Sequence, residues 1–468
     1  MTQNQFLQKI IFVLLASACT VANPHQRKDA GTTTDSTPTG DAKPVGCKSS
    51  TECPASTPVC DMTGGICVQC TAAEPGICSG AMPYCGADNT CKACSMHSQC
   101  ASNACLPDGT CSPVNNVAYV DPTGTGVSCT KDMPCSSLQL ALETRRPVVK
   151  MTGTISDNVT ISGQNVVMLA DPGAKLTRSA AGALIRVDGS SQVSIYDLEV
   201  TGAQGGHGPD GCAIWMRSGD AATVSLQRVT LSSNDWCGAT NETKGTLTIH
   251  QSTIRDNGAG LYAMSGGTLR VTESTIRNNR LEVAIGSAGT LYVSRSIIRD
   301  NHRGGILMGG PTAFTITNNF IVGNGGEQDP RSFIGAIHVG ADQSPNNKIE
   351  FNTIVGNTNT NNDLLNNASL AGGIACSKNT GPYSANNNLI FGNRNTSLPD
   401  QTTNCNAGNS YVGPGDPGFV SPTDYHLSSR TPKDIVDKVS CPGNSVDIDG
   451  DPRPIGSGCD LGADEYKP

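Results

Sequence analysis

Three near-copies of one hexapeptide hold most of the side chains that could do chemistry: STIRDN at 252–257, STIRNN at 274–279 and SIIRDN at 296–301. They supply three guanidinium groups, Arg255, Arg277 and Arg299, and two carboxylates, Asp256 and Asp300. If successive copies stack as neighbouring strands, the two Asp stand ~9–10 Å apart, close to the ~6.5–9.5 Å between the acid and base of an inverting glycosidase. Asn278 lies between them and both adjoin a turn, so ordinary turn carboxylates are the simpler reading. The arginines would form an outward row of mutually repelling charges, which an anionic polymer could offset. A surface balanced by Asp256 and Asp300 explains them too. Arg270, Tyr292 and Lys348 make a second outward line, and the six together are the candidate glycan-binding strip. Trp215 and Trp236 could stack on a sugar or be buried. There is no G-x-S-x-G nucleophile elbow, and the seven His contain no H-x-x-x-H pair for zinc.

The elements that must position these residues follow from the repeat. The terminal Asn recurs at Asn234, Asn257, Asn279, Asn301, Asn324, Asn357 and Asn393, in steps of 23, 22, 22, 23, 33 and 36. Three residues earlier stands an aliphatic residue each time, from Leu231 to Ile390. Ten and eight residues earlier stand pairs such as Leu247/Ile249 and Leu291/Val293, alternating as the inward residues of a strand do. Periods of this size mark repeat architectures. The pattern predicts a parallel β-helix whose coils of about 22 residues hold three short strands. In it the Asn, and the Ser or Asn five residues before it (Ser252, Ser274, Ser296, Asn319), form ladders that hold turns. The longer steps place insertions at 325–333 and 358–370 after the Asn, plausibly at the same corner as 203–211. SSLQLALETRR, with Leu138, Leu140, Ala141 and Leu142 on one face, is the helix expected to cover the first coil.

Ahead of the repeat, Lys9 and IIFVLLASA read as an export signal over 1–18, too short to span a membrane. Residues 19–46 are almost free of apolar side chains and are expected to be a disordered tether. Residues 47–111 hold twelve Cys in three sets of four. C-x2-C pairs such as Cys67/Cys70 can mark zinc, but an exported segment nearly devoid of His suits three disulfide modules forming a stalk, of open connectivity. Outside it, proximity pairs Cys129 with Cys135, Cys212 with Cys237, Cys376 with Cys405 and Cys441 with Cys459. The total of 21 Cys is odd, which leaves Cys19. A net charge of −8 argues against nucleic acid as partner.

LASAC at 15–19 resembles a bacterial lipobox, which implies lipidation of Cys19 and an extracytoplasmic protein held at the outer membrane. The short Cys-rich modules resemble those on surface proteins of Gram-negative bacteria. The coil pattern over 117–430 resembles the pectin-lyase-like, right-handed parallel β-helix family. That family includes lyases, glycosidases, adhesins and inert shafts, so fold alone selects no activity. Of the polygalacturonase set (Asn-Thr-Asp, Asp-Asp, Gly-His-Gly, Arg-Ile-Lys) only Gly206-His207-Gly208 occurs. The tail, DIDGDPRPIGSGCDLGADEY, resembles the C-terminal end of bacterial β-helix repeat proteins, and 431–468 is expected as a cap. Its Asp447, Asp449 and Asp451 would repel unless Arg453 or a Ca²⁺ ion closes the turn. No acidic residue stands at the bidentate EF-hand spacing, so Arg453 is favoured and no cofactor is required. The expectation is thus an all-β, monomeric β-helix behind a disulfide-rich region. Its expected role is binding of glycan or cell-envelope polysaccharide, with a polysaccharide lyase, a hydrolase or a plain shaft as alternatives.

Overall fold

A chain whose apolar residues alternate within short strands, and repeat every coil, can bury them only by stacking coil on coil. The computed structural model does this. It describes residues 46–468, apart from 218, 220, 265, 311–312, 327–333, 341–345, 361–370, 378–384, 396–397, 414–415 and 444. The export segment, Cys19 and the tether up to residue 45 lie outside the described residues, as does most of the insertions at 325–333 and 358–370. One coil runs Thr246–His250, Thr253–Arg255, Ala259–Ala263. Each strand pairs in parallel with its counterpart a coil later: Leu247 with Leu269, Ile254 with Ile276, Leu261 with Ile285. Among the described residues the resulting first, second and third sheets hold 10, 11 and 10 strands. Leu247, Ile249, Ile254 and their counterparts are fully buried in one continuous core.

The corners explain the hexapeptide. Asp256, Asn278, Asp300, Gly323, Gly356 and Gly392, each one residue before the repeating Asn, all have φ between 54° and 64°. L-residues avoid that left-handed region, and Asn, Asp and Gly tolerate it best. The Asn that follows is buried inside the coil. Asn257, Asn279 and Asn301 donate through Nδ2 to the Oδ1 of the next Asn at 3.2, 2.8 and 2.8 Å. A parallel inner ladder runs from the Ser252 backbone N–H to Ser274 Oγ, and onward through Ser296 and Asn319. At the N-terminal end the helix Leu138–Glu143 buries Leu138, Ala141 and Leu142 and leaves Leu140 partly covered. Ser137 caps it by accepting from the Leu140 N–H at 3.2 Å.

All twelve Cys of 47–111 form disulfides, each module joining its first Cys to its third and its second to its fourth. The four further bonds are Cys129–Cys135, Cys212–Cys237, Cys376–Cys405 and Cys441–Cys459. The third module is not a free stalk segment. Its Ala104 and Leu106 pack with Tyr119, Val148, Leu169 and Tyr196 of the β-helix, and Tyr119 donates to the Ser102 carbonyl at 2.7 Å.

The C-terminal segment corrects two expectations. It lies along the flank of the coil stack, not across its end. The outward line of the second sheet turns mostly apolar, with Ile297, Phe320 and Leu389 and with Thr353 between the last two, and such a strip needs cover. Phe419, Leu427, Ile435, Leu461 and Ala463 supply it. Nor does Arg453 close the acidic turn. Asp447 is buried and accepts from the backbone N–H groups of Asp449 and Asp451, both at 2.9 Å, and of Glu465 at 3.3 Å. Asp449 pairs with His426 at 3.1 Å and Asp451 with Lys467. Arg453 binds Glu465 instead, at 2.9 Å. Each Asp has a protein partner, while one oxygen from each of the three carboxylates still lies within 4.8 Å of the others.

His426 joins the hairpin Phe419–Leu427 to that turn, through Asp424 on one ring nitrogen and Asp449 on the other. Burial alone would lower its pKa, but the Asp424 hydrogen bond and the fields of Asp464 and Asp449 outweigh burial and raise it. Burial pushes Asp464 up to about 6. Both folded values exceed the unfolded ones, so both contributions are full at low pH and fade as pH rises through the folded values. Asp424 is shifted down by His426, and its contribution fades only in acid. The melting temperature is therefore expected to fall as pH rises through about 6, where Asp464 ionises, and onward above the ordinary His value of ~6.5, and His426→Gln to flatten the upper part of that slope. Scanning calorimetry across the range checks it, and an unchanged slope in the variant removes the argument.

Candidate functional site

The outer face of the second sheet carries the arginine row. Arg255, Arg277 and Arg299 are register partners in three successive strands, with Thr230, Thr253 and Thr275 in line beside them. The row is largely self-neutralised. Arg255 meets Asp256 at 2.6 Å and Glu199 at 3.8 Å, and Arg299 meets Asp300 at 2.6 Å. Arg277 is followed by Asn278, and it has no carboxylate partner among the described residues. Asp256 and Asp300 thus serve as left-handed corner residues and as counterions to the arginines before them. On the last strands of this sheet the tail takes the place of the row, and Phe320 packs against Tyr425 and His426.

The first sheet turns its outward residues to a different side. Thr246, Thr268 and Thr290 form one line, Thr248, Arg270, Tyr292, Thr315 and Lys348 the next, and His250, Thr272, Ser294 and Thr317 the third. The Arg270 guanidinium lies 4.0 Å from the centre of the Tyr292 ring. Lys348 pairs with Glu350 at 3.7 Å, and His250 shares a 2.9 Å hydrogen bond with Thr272. The candidate strip is therefore two faces on two sheets. A cation–aromatic pair set among aligned hydroxyls can bind a polar molecule that also has apolar surface.

The third sheet holds Trp215, and Trp236 stands at the bend just before its strand Cys237–Asn241. Trp215 donates to Glu242 at 2.9 Å, with Arg186 and Arg217 at 5.4 and 6.0 Å from its ring. Trp236 stands 5.0 Å from His207 of the GHG loop and 6.4 Å from Tyr262, whose ring is within 8° of parallel. These rings roof the Cys212–Cys237 disulfide and Ala259. Burial, with the nearby Glu282 carboxylate, holds the Tyr262 phenol well above its usual range. His338, further along the sheet, is buried and its pKa is lowered to about 4. Of these groupings only the Cys212–Cys237 pair was legible from spacing, because the rings come from different coils and from the insertion at 203–211. A further His/Asp grouping, His426, Asp449 and Asp464, belongs to the tail, where each member already has a protein partner.

Sheets and disulfides together define the class of protein: a parallel β-helix behind a disulfide-rich N-terminal region. Residues 212–411 match the family model described as Right handed beta helix region. Residues 16–117 match that of a Family of unknown function (DUF8331). Among solved structures, that of pectate lyase Pel9A is similar at 15% identity and a TM-score of 0.47, over 75% of this chain and 96% of that one. Among curated proteins no match is found. Ten disulfides fit an oxidising compartment. Among the described residues no helix is long and apolar enough to cross a membrane.

Proposed function

We propose that the protein is a non-catalytic binding module, lipid-anchored through Cys19 at the outer membrane, that holds glycan or envelope polysaccharide on the outer face of the first sheet. The observation that supports this is Arg270 stacked on Tyr292 within rows of Thr and Ser. A sugar offers an apolar ring face to the aromatic ring and hydroxyls to the guanidinium and Thr side chains. A lyase or hydrolase reading has less support, because Asp256 and Asp300 are tied to Arg255 and Arg299.

The test is retention on immobilised polygalacturonate, alginate, heparin and a neutral glucan across a salt gradient. Arg270→Gln/Tyr292→Ala is expected to lose retention. Arg277→Gln and Arg255→Gln, on the second sheet, should match the parent. If the parent is retained nowhere, or the double variant co-elutes with it, the face is only a surface and the shaft reading stands. For the anchor, Cys19→Ser is expected to move the protein from the detergent-soluble membrane fraction to the soluble one. A variant that still fractionates with membranes would refute the anchor.

A further inference from the structure

We infer that the third disulfide module makes a blind cleft at the N-terminal end of the first sheet's outer face, and that this cleft receives the end of a sugar chain. The inference rests on the reading of that face as a glycan-binding surface. The cavity has a volume of about 790 Å³, within the ~300–1,000 Å³ of small-molecule sites. Met96, His97 and Leu106 of the module form one wall. Tyr196 forms the floor, over the buried Leu169, and Arg228 with Asp197 the far side.

The floor and the open face are one track. Leu169, Tyr196 and Gln227 are register partners in successive strands of the first sheet. The same line continues through His250, Thr272 and Ser294, beside Arg270 and Tyr292. From Tyr196 to the strand of Arg270 is three strand spacings, ~14 Å, the span of a few sugar units. In the other direction the line is closed. The next partners, Lys150 and Tyr119, are 5% and 7% exposed beneath the module. A chain lying on the track must therefore end in the cleft.

The chemistry of the walls suits a sugar ring. Tyr196, only partly buried, offers apolar surface. Asp197 holds Arg228 by two hydrogen bonds, at 2.6 and 2.9 Å, which fixes a donor and acceptor array at the rim. The opposite wall is rigid. Cys94–Cys105 and Cys100–Cys111 cross-link it, and His97 Nδ1 accepts from the Cys105 N–H at 3.2 Å. A preformed cleft loses little entropy on binding.

Calorimetric titration with hexasaccharides of galacturonate, glucose, xylose and N-acetylglucosamine tests the inference, each used free and with a bulky fluorophore on either end. For the sugar that binds, one of the two labelled forms is expected to bind at least about tenfold more weakly than the free form. Met96→Trp, which fills the cleft from an exposed position, and Tyr196→Ala, which removes its floor, should each weaken the free hexasaccharide about tenfold. Tyr196 also packs against the module, so Met96→Trp is the decisive variant, with its melting temperature as the check on folding. Both labelled forms binding like the free sugar, or Met96→Trp binding like the parent, overturns the cleft. If Arg270→Gln/Tyr292→Ala loses binding while the cleft variants keep it, the cleft fails and the face stands. The opposite pattern supports the cleft and removes the face. No binding of any hexasaccharide overturns both.

Discussion

Asn301→Ala is expected to destabilise the β-helix by roughly 3–5 kcal/mol, because each buried group it strands costs ~1–3 kcal/mol. Asn301 is completely buried. Its Oδ1 accepts from the backbone N–H of Asn279 at 3.2 Å and from Asn279 Nδ2 at 2.8 Å. Its Nδ2 reaches the Ile276 carbonyl at 3.0 Å, the Arg299 carbonyl at 3.1 Å and Asn324 Oδ1 at 2.8 Å. Alanine removes the partners of two donors in one coil and of acceptors on both sides, where water cannot replace them. The loss falls between coils, so it breaks the nearest-neighbour coupling that holds a solenoid together. The adjacent Asp300→Asn is the control. It keeps a residue type that tolerates a φ of 54° and changes only an exposed ion pair, worth ~0–1 kcal/mol. Guanidinium unfolding under oxidising conditions measures both. A loss below about 1 kcal/mol for Asn301→Ala, no more than one ordinary hydrogen bond, would show that the ladder does not hold the coils.

What the sequence made legible is what recurs within each coil. The alternation of Leu247 and Ile249, the Ile three residues before each Asn, and the Asn itself are contacts between like residues one period apart, so spacing alone reveals them. The outward residues were only half legible. Period put Arg255, Arg277 and Arg299 in a row and offered Asp256 and Asp300 as their balance, which the pairs bear out, but it did not show the separation of that row from Arg270 and Tyr292 by a sheet corner. Contacts made once, across long stretches of chain, left no pattern: Leu106 against Leu169 and Tyr196, Phe320 under Tyr425, Ala463 bonded to Thr353. At the acidic turn the expected closure by Arg453 failed for a physical reason: backbone N–H groups serve both oxygens of Asp447, and Arg453 meets Glu465, a contact that no spacing announces.

The largest effect outside the ladders is expected at Glu465. Its side chain and that of Arg453 are each 1% exposed and meet at 2.9 Å. Glu465 also accepts from the N–H groups of Asp460 at 2.8 Å and Ile455 at 3.2 Å. Arg453 donates to the Asp460 and Gly462 carbonyls at 3.2 and 2.8 Å and lies 5.0 Å from the Phe351 ring. Burial lowers the Arg453 pKa and the Glu465 carboxylate opposes that, so the pair is balanced only while both members are present. Glu465→Ala leaves a buried guanidinium without its counterion and should cost roughly 3–5 kcal/mol. The cost falls on the tail. This pair sits where Leu461 and Ala463 cover Leu389, so its loss should free the segment from the second sheet and leave the coils folded. Arg453→Met/Glu465→Leu, which removes both charges and keeps apolar bulk, should recover most of the loss. Limited proteolysis with mass detection separates the cases. Glu465→Ala should be cut within the tail while the coils stay intact, and the double variant should resist cleavage as the parent does. If Glu465→Ala is as resistant as the parent, the ion pair is not what holds the tail on the sheet.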